Sequence, residues 1–317
     1  MPENGGFYAL RLQFFPRGGM MKLSNSGQAG GILMAVDCHI HMALDGGFWK
    51  AALERHKIAP DELFIRQTLE TYQKNGFTYL RDGGDRWDAG LRASQLAVEY
   101  GITYRTPCFP ICRKGHYGGF IGKGFETIED FRKLVSEVKT RGGHFIKLMI
   151  SGLMDFDHYG VLTDEPMPDD LILETTKIAH GEGFSVMAHA NGDAAVQGAV
   201  KAGIDSVEHG AYLTGETLHM LAESRTVWVP TLVTIGNLIA DARFPESVTR
   251  PLLAYQMHAV RQAAELGAYI ACGSDAGAYR VFHGQGGLDE LALLRKTLGE
   301  GADEILSRGA AEIQARF

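Results

Sequence analysis

The 317 residues of the chain are 45% hydrophobic and 22% charged, which is enough to build a large globular core. The formal net charge of −7 argues against nucleic acid or an anionic membrane surface as a partner. No apolar run approaches the roughly 18 residues that a membrane span needs, and the first residues lack the layout of a signal peptide. Four scattered cysteines are typical of free thiols in a reducing compartment, so we predict a cytoplasmic protein.

Two segments of the chain differ in pattern. Residues 1–31 are rich in glycine and irregular, and we interpret them as an N-terminal arm. From residue 32 to residue 317, short apolar runs alternate with longer amphipathic stretches. This alternation is typical of repeated β-α units that build a parallel sheet.

Eight apolar runs predict strands, in the order GILMAVDCHI, GFTYLRDG, ITYRTPCFPI, GHFIKLMIS, FSVMAHA, DSVEHG, VWVPTLV and AYIACGSD. The predicted helices are ELFIRQTLETYQKNG, ASQLAVEYG, IEDFRKLVSEVKTRG, DLILETTKIAHGEG, GDAAVQGAVKAG, TGETLHMLAESR and PLLAYQMHAVRQAAELG. Eight strands with intervening helices predict a single α/β domain, a (β/α)8 TIM barrel. An open doubly wound sheet is the alternative, but no phosphate-binding glycine motif follows any of the strands.

Ionisable side chains stand at the ends of most predicted strands, where burial makes them costly. They are His39 and His41 after strand one, Lys147 in strand four, His189 after strand five, His209 after strand six and Asp275 after strand eight. In a barrel the carboxyl ends of the strands surround the active site, so these six side chains are expected to converge. Four imidazoles and a carboxylate suit zinc or a similar divalent metal ion.

The alternation of side chains along a strand places His39 and His41 on one face, where both can bind the same ion. The same rule turns Lys147 inward together with Phe145 and Met149. An ammonium group beside a metal cation would be strongly repelled, so its charge must be relieved. One route is reaction of the neutral amine with carbon dioxide, because the resulting carbamate has two oxygens that could bridge two metals.

Taken together, these segments resemble the amidohydrolase superfamily, and more finely its imidazolonepropionase-like and prolidase-like (Xaa-Pro dipeptidase-type) branch. The resemblance rests on the HxH motif after a strand and on the segments GFTYLRDGGD, FIKLMISG, HANGDAAVQGAVKAGIDSVEHG and ACGSDAG. It covers the chain from Ile32 to the C-terminus. Members of this branch usually carry a small β-sandwich built from both chain ends. We expect the sandwich to be reduced or absent here, with residues 1–31 as an arm or a vestigial sandwich.

The resemblance implies a binuclear metal centre, with zinc as the expected metal. The implied ligands are His39, His41 and Asp275 for the first ion, His189 and His209 for the second, and carboxylated Lys147 as the bridge. A water that bridges the ions would be the nucleophile, because the metals lower its pKa. Asp275 would take the proton of this water and pass it to the leaving amine, as general base and then general acid.

Contacts to the substrate are expected from residues near the strand ends. The candidates are Arg81, His116, Tyr117, Tyr212 and His283. Arg81 could hold a substrate carboxylate as a fork, although a structural salt bridge with Asp82 or another barrel acid is an equal alternative. His116 and Tyr117 follow strand three in RKGHYGGF, where a plain flexible loop is the alternative. Glu208, beside His209, is expected to point away from the barrel axis and to have a structural role.

The predicted reaction is hydrolysis of a C–N bond, an amide or peptide bond, in a small substrate such as a dipeptide or an N-acyl amino acid. Hydrolysis of a cyclic amide, as in imidazolonepropionase, and deamination of a ring are the alternatives. Two other classes stay open: a lactonase or esterase with similar ligands, and a barrel that binds a small molecule without catalysis. The expected partner is the small-molecule substrate, with neither nucleic acid nor membrane, and association into a homo-oligomer is left open.

Overall fold

The computed structural model describes residues 35–239 and 241–317, so the predicted arm or vestigial sandwich at 1–31 lies outside the described residues. Within the described ranges the chain forms ten β-strands and eleven α-helices. Of these described helices, none is both long enough and apolar enough to cross a membrane.

Nine of the ten described strands overlap the eight predicted runs, and the strand Lys123–Phe125 was not predicted. Their bounds are β1 Ala35–Ile40, β2 Phe77–Asp82, β3 Thr103–Arg105, β4 Pro110–Arg113, β5 Lys123–Phe125, β6 Ile146–Met149, β7 Val186–Ala190, β8 Ser206–His209, β9 Val227–Val229 and β10 Tyr269–Ile270. The predicted third strand divides into β3 and β4. Pro107 lacks an amide hydrogen for a ladder, and Cys108 has a φ of 65°, so the chain turns between the two strands.

All seven predicted helices are present, and four further helices were not predicted from the sequence. The bounds are α1 Trp49–Glu54, α2 Glu62–Lys74, α3 Ala89–Leu96, α4 Ile128–Thr140, α5 Asp169–Gly181, α6 Asp193–Ala202, α7 Gly215–Glu223, α8 Val233–Gly236, α9 Glu246–Glu265, α10 Gln285–Leu298 and α11 Ala302–Arg316. The predicted seventh strand is shorter in the structure. Strand β9 ends at Val229, because Pro230 follows and Thr231 has a φ of 49°, and α8 begins at Val233.

Helix α4 illustrates how local sequence sets an element. The Thr127 hydroxyl accepts a hydrogen bond from the Asp130 amide, and the Asp130 carboxylate accepts one from the Thr127 amide, which forms a capping box. Phe131, Val135 and Val138 then recur at helical spacing and are buried in the main hydrophobic core. The capped start and the apolar stripe together place this helix against the sheet.

Every pairing between neighbouring strands is parallel. The ladders form a sheet in the order β1-β2-β3 and a second sheet in the order β10-β9-β8-β7-β6-β4-β5. Backbone hydrogen bonds link residues of the two sheets or of the segments next to them. The Cys38 amide donates to the Cys272 carbonyl at 2.9 Å, the Asp275 amide donates to the His39 carbonyl at 2.7 Å, and the His144 amide donates to the Thr106 carbonyl at 2.8 Å. Parallel strands with intervening helices confirm the predicted α/β class.

Candidate metal centre

Six polar side chains predicted from the sequence line one cavity of about 490 Å³. They are His39, His41, Lys147, His189, His209 and Asp275. They come from β1, β6, β7 and β8 and from the segment after β10. The carboxyl ends of parallel strands lie at one edge of the sheet, which explains why residues far apart in sequence converge here.

The tightest group consists of His39, His41 and Asp275. The Nε2 atoms of the two histidines are 3.4 Å apart. Asp275 Oδ1 lies 3.4 Å from His39 Nε2 and 3.2 Å from His41 Nε2. One ligand atom from each residue lies within 4.8 Å of the other two, which is close enough for a single cation to contact all three.

The other two histidines each use one ring nitrogen for a neighbour and leave the second for a ligand. His189 Nε2 lies 3.0 Å from the Gly152 carbonyl oxygen, which can only accept, so this nitrogen carries the proton and Nδ1 has the lone pair. His209 Nδ1 lies 2.8 Å from the Thr231 hydroxyl. The rings of His189 and His209 are 4.7 Å apart, so both lone pairs can serve one site.

Lys147 supplies a direct test of whether these residues fit a metal centre. Its side chain is buried, and Nζ has no hydrogen-bond partner among the described residues. An unpaired buried amine is costly, so Lys147 Nζ needs either a partner or the loss of its charge. Burial is the main cause that lowers the pKa of Lys147 to about 8, so a larger fraction of the amine is neutral near neutral pH. The donor set of imidazoles and a carboxylate, with an amine that can lose its charge, fits a divalent metal ion.

The protonation states suit metal ligands. Burial lowers the pKa of His189 to about 3, with a further contribution from the charge of Lys147. Burial also lowers the pKa values of His39 and His209 well below the ordinary range. For Asp275, burial acts in the opposite direction, but the neighbouring His39 and His41 outweigh it and lower the pKa of the carboxyl. Neutral imidazoles and an ionised carboxylate are the forms that bind a metal.

The backbone around the cluster is unusual. His209 and Asp275 have φ values of 68° and 59°, a left-handed conformation that is costly for residues with a side chain. Gly83 allows a close approach, because a Cβ at this position would lie 2.2 Å from His41 Cε1. Gly273 does the same for β1, since its Cβ would lie 2.9 Å from the His39 amide nitrogen. Strain and close packing concentrated at one place are typical of a functional site.

Of the five predicted substrate contacts, only Tyr117 lines the cavity, with its ring 4.8 Å from that of His189. Arg81 is a correction: it is fully buried, and its guanidinium pairs with Glu208 at 2.8 Å, which leaves no face for a substrate. The alternative of a salt bridge with a barrel acid is confirmed, with Glu208 as the acid. Glu208 is a second correction, because its carboxylate faces His39 and Arg81 rather than a neighbouring helix.

The remaining three candidates lie outside the cavity lining and stay predictions, and each has a partner within the protein. His116 Nδ1 lies 3.0 Å from both carboxylate oxygens of Asp164, outside the cavity lining. The Tyr212 hydroxyl accepts a hydrogen bond from the Gly160 amide at 2.9 Å. His283 is held between the Leu44 carbonyl, 2.8 Å from Nε2, and the Tyr72 hydroxyl, 3.2 Å from Nδ1. These contacts fix the three side chains in the protein rather than toward a ligand.

The wider cavity wall was not predicted from the sequence. It is mainly apolar, and its aromatic members are Phe48, Trp49, Tyr117, Phe120, Phe156, Phe244 and Tyr279. Arg243 also lines it, with its guanidinium 5.2 Å from the ring centres of both Phe244 and Tyr279. The nearby Asp241 pairs with Arg280 at 2.7 Å, and none of the ion pairs among the described residues includes Arg243. Most of these residues belong to segments between strands and helices, where no periodic pattern reveals which side chains face inward.

Curated proteins share part of the sequence of this chain. An uncharacterized protein of Mycobacterium tuberculosis is 38% identical over 154 residues, 47% of this chain and 40% of that protein. Ochratoxinase of Aspergillus niger is 26% identical over 282 residues, 75% of this chain and 56% of that protein. The chain thus spans about half the length of the curated relatives it matches.

Solved structures share the fold. A crystal structure of a Xaa-Pro dipeptidase with methionine bound in its active site has a TM-score of 0.71 at 21% identity, over 89% of this chain and 75% of that chain. The crystal structure of A. niger ochratoxinase also has a TM-score of 0.71 at 21% identity, over 89% of this chain and 71% of that chain. The family model of the amidohydrolases matches residues 29–306. The clustered histidines and aspartate, the shared fold and this match lead to one conclusion: the chain belongs to the amidohydrolase family.

Proposed function

We propose that the protein is a metal-dependent hydrolase that cleaves the amide C–N bond of a small substrate, such as an N-acyl amino acid or a dipeptide, with a bulky apolar group. One observation carries this proposal. The six polar side chains of the candidate metal centre stand together in an otherwise mainly apolar cavity of about 490 Å³. Cavities of this size and character, with a few convergent polar groups, are typical of small-molecule sites.

We also infer that the two sheets belong to one closed (β/α)8 barrel. The backbone hydrogen bonds between Cys38 and Cys272 and between His144 and Thr106 support closure, because they bridge the two boundaries between the sheets. Convergence of strand ends from both sheets on one cavity supports it as well. Cytoplasmic location and association into a homo-oligomer remain predictions.

The metals would be held by the residues that the sequence indicates. The proposed ligands are His39, His41 and Asp275 for one zinc ion, His189 and His209 for a second, and carboxylated Lys147 as the bridge. When bound, such ions lower the pKa of water and polarise a carbonyl group. Lys147 supports the two-metal form, because conversion to a carbamate would relieve its unpartnered, buried Nζ.

Asp275 is the residue proposed to move the proton. Its carboxylate lines the cavity beside His39 and His41, where a water held at the metal centre would lie close to it. It would accept the water proton and then donate it to the leaving nitrogen, so that the amine departs neutral. Tyr117 lies on the cavity wall beside His189 and would pack against the substrate.

Arg243 supports a substrate with a carboxylate. It is an exposed cation beside a mainly apolar wall, and its guanidinium carbon lies 5.2 Å from the ring centres of both Phe244 and Tyr279. A guanidinium in this setting can bind a carboxylate as a fork, while the aromatic side chains around it pack on an apolar group. An N-acyl amino acid with a large acyl or side-chain group has both features.

The proposed function is tested with purified protein reconstituted with zinc. The assays are metal content per chain and release of free amine from a panel of N-acyl aromatic amino acids and Xaa-Pro dipeptides. We expect two zinc ions per chain and hydrolysis that falls about 100-fold to 10,000-fold in Asp275→Asn. Asp303→Asn is the control, because its carboxylate pairs with Arg295 at 2.7 Å on the surface. With cyclic amides, amino-substituted rings and lactones added to the panel, ammonia or a ring-opened acid as the sole product would instead favour a deaminase or a cyclic amide hydrolase. Ester cleavage alone would favour a lactonase.

A further inference from the structure

A line of three buried polar side chains runs beneath the candidate metal centre. It begins at Arg81, passes through Glu208 and ends at His39, and all three side chains are fully buried. Arg81 Nη2 lies 2.8 Å from Glu208 Oε1, and Glu208 Oε2 lies 2.9 Å from His39 Nδ1. The second contact is within ion-pair distance but is not aligned as a straight hydrogen bond. Glu208 therefore faces an arginine with one oxygen and a candidate metal ligand with the other.

The arginine end of this line is firmly held. Arg81 Nε donates to the Cys38 carbonyl at 2.7 Å, and Nη1 donates to the Ser206 hydroxyl at 2.8 Å. The Ser206 hydroxyl in turn donates to Glu208 Oε1 at 2.7 Å. The Phe317 ring lies 4.4 Å from the guanidinium carbon and covers its face. Each of the three guanidinium nitrogens of Arg81 thus has a hydrogen-bond acceptor, so Arg81 can hold Glu208 in one position.

A change in backbone conformation lets Glu208 and His209 act on the same site. Consecutive residues of a strand normally point to opposite faces. Glu208 pairs in register with His189 on the neighbouring strand, so it shares the inward face. His209 then leaves the extended conformation, with a φ of 68°, and its ring comes within 5.1 Å of the ring of His39. The left-handed turn thus brings both side chains to the cluster.

A buried ion pair is a poor source of stability, because both charges lose their hydration when they are removed from water. Its retention at this position is better explained by what it does to His39. A carboxylate beside Nδ1 favours the tautomer with the proton on Nδ1, which leaves the lone pair on Nε2. His39 Nε2 is the atom that faces His41 Nε2 at 3.4 Å and Asp275 Oδ1 at 3.4 Å.

We propose that Glu208 is a positioning residue of the metal centre, which holds His39 with its proton on Nδ1 and its Nε2 lone pair toward the metal, and that Arg81 anchors Glu208 for this task. The inference rests on the proposed metal-dependent function. Partners of this kind commonly contribute 10-fold to 100-fold to metal affinity, roughly the size of effect expected here.

Glu208→Gln is the sharpest variant. Glutamine has the same shape but only one side-chain oxygen, whereas Glu208 faces Arg81 with one oxygen and His39 with the other. The amide group must therefore turn its NH2 toward one of these donors. Glu290→Gln is the matched control, because Glu290 is also fully buried and accepts a hydrogen bond from the Val233 amide at 2.7 Å, outside the cavity lining.

The readout is the zinc dissociation constant of the full chain, measured by competition with a chromogenic chelator, together with thermal unfolding of the metal-free protein. We expect roughly 10-fold to 100-fold weaker zinc binding in Glu208→Gln and less than about 3-fold change in Glu290→Gln. Zinc binding of Glu208→Gln within 3-fold of the wild type, in a folded protein, would overturn the inference and leave the proposed function intact. A wild-type chain that binds no zinc would overturn both.

A second measurement needs no folded Glu208 variant. In wild-type protein with ¹⁵N-labelled histidine, the shifts of the two ring nitrogens report which one carries the proton. The His39 signals are assigned by their loss in His39→Gln. A proton on Nδ1 supports the inference, and a proton on Nε2 contradicts it.

Discussion

Replacement of Gly83 by alanine is expected to damage the metal centre while sparing the fold. A Cβ at this position would lie 2.2 Å from His41 Cε1, 2.7 Å from Nδ1 and 2.9 Å from Nε2. Gly83 does not have a positive φ, so alanine meets no backbone strain there. The conflict is therefore confined to the ring of His41, which must move toward the cavity that it lines.

The size of the displacement follows from ordinary contact distances. Carbon atoms in contact are separated by about 3.5 Å, so the imidazole must move by about 1.3 Å from its present place. A misplacement of about 1 Å in a catalytic constellation costs about 100-fold in rate, or roughly 2.7 kcal/mol of transition-state stabilisation. Stability should change less, by about 1–3 kcal/mol, because one side chain moves rather than the surrounding backbone.

The assay compares Gly83→Ala with Gly215→Ala, whose added Cβ would meet no atom within 4 Å. Zinc content per chain, kcat/KM for an N-acyl amino acid and the midpoint of thermal unfolding are measured for both variants and the wild type. We expect less bound zinc and about 100-fold lower kcat/KM only in Gly83→Ala. Full zinc content and wild-type kcat/KM in Gly83→Ala would refute the idea that this glycine exists to seat His41.

Three further predictions concern other parts of the chain. Burial raises the pKa of Glu290 from 4.5 to about 8, so the folded state keeps a proton that the unfolded state releases, and the free energy of unfolding should fall as pH rises through this window. The loss of free energy is roughly 5 kcal/mol at most, and it should be absent in Glu290→Gln. The free energy of unfolding is measured by denaturation at pH 5 and pH 8, and an equal change with pH in both proteins would contradict the prediction. Thr127→Ala removes the capping box of α4 and should lower the free energy of unfolding by about 1 kcal/mol with kcat unchanged, as checked by urea denaturation. Arg243→Met should raise KM roughly 10-fold for an N-acyl amino acid but not for its methyl amide, and an equal change for both substrates would argue against carboxylate binding.

The sequence alone identified the class of fold and the residues of the cluster. Strand ends carry a local signal, since an apolar run that closes on His39 and His41, or on Asp275, breaks the usual separation of buried and polar residues. Parallel β-α repeats place all carboxyl ends of strands at one edge, so the convergence of these side chains could be predicted without coordinates. Resemblance to a family added the division of ligands between two ions, which remains a prediction.

Tertiary structure decided the orientation of Glu208, the burial of Arg81 and the aromatic wall around Arg243. A regular pleat predicts that neighbours such as Glu208 and His209 point to opposite faces, but the left-handed turn at His209 brings both to the centre. That turn has no sequence marker, because it depends on packing between strands that are distant along the chain. The cavity wall likewise comes from segments without periodic pattern, whose inward side chains are determined by long-range contacts rather than by local propensity.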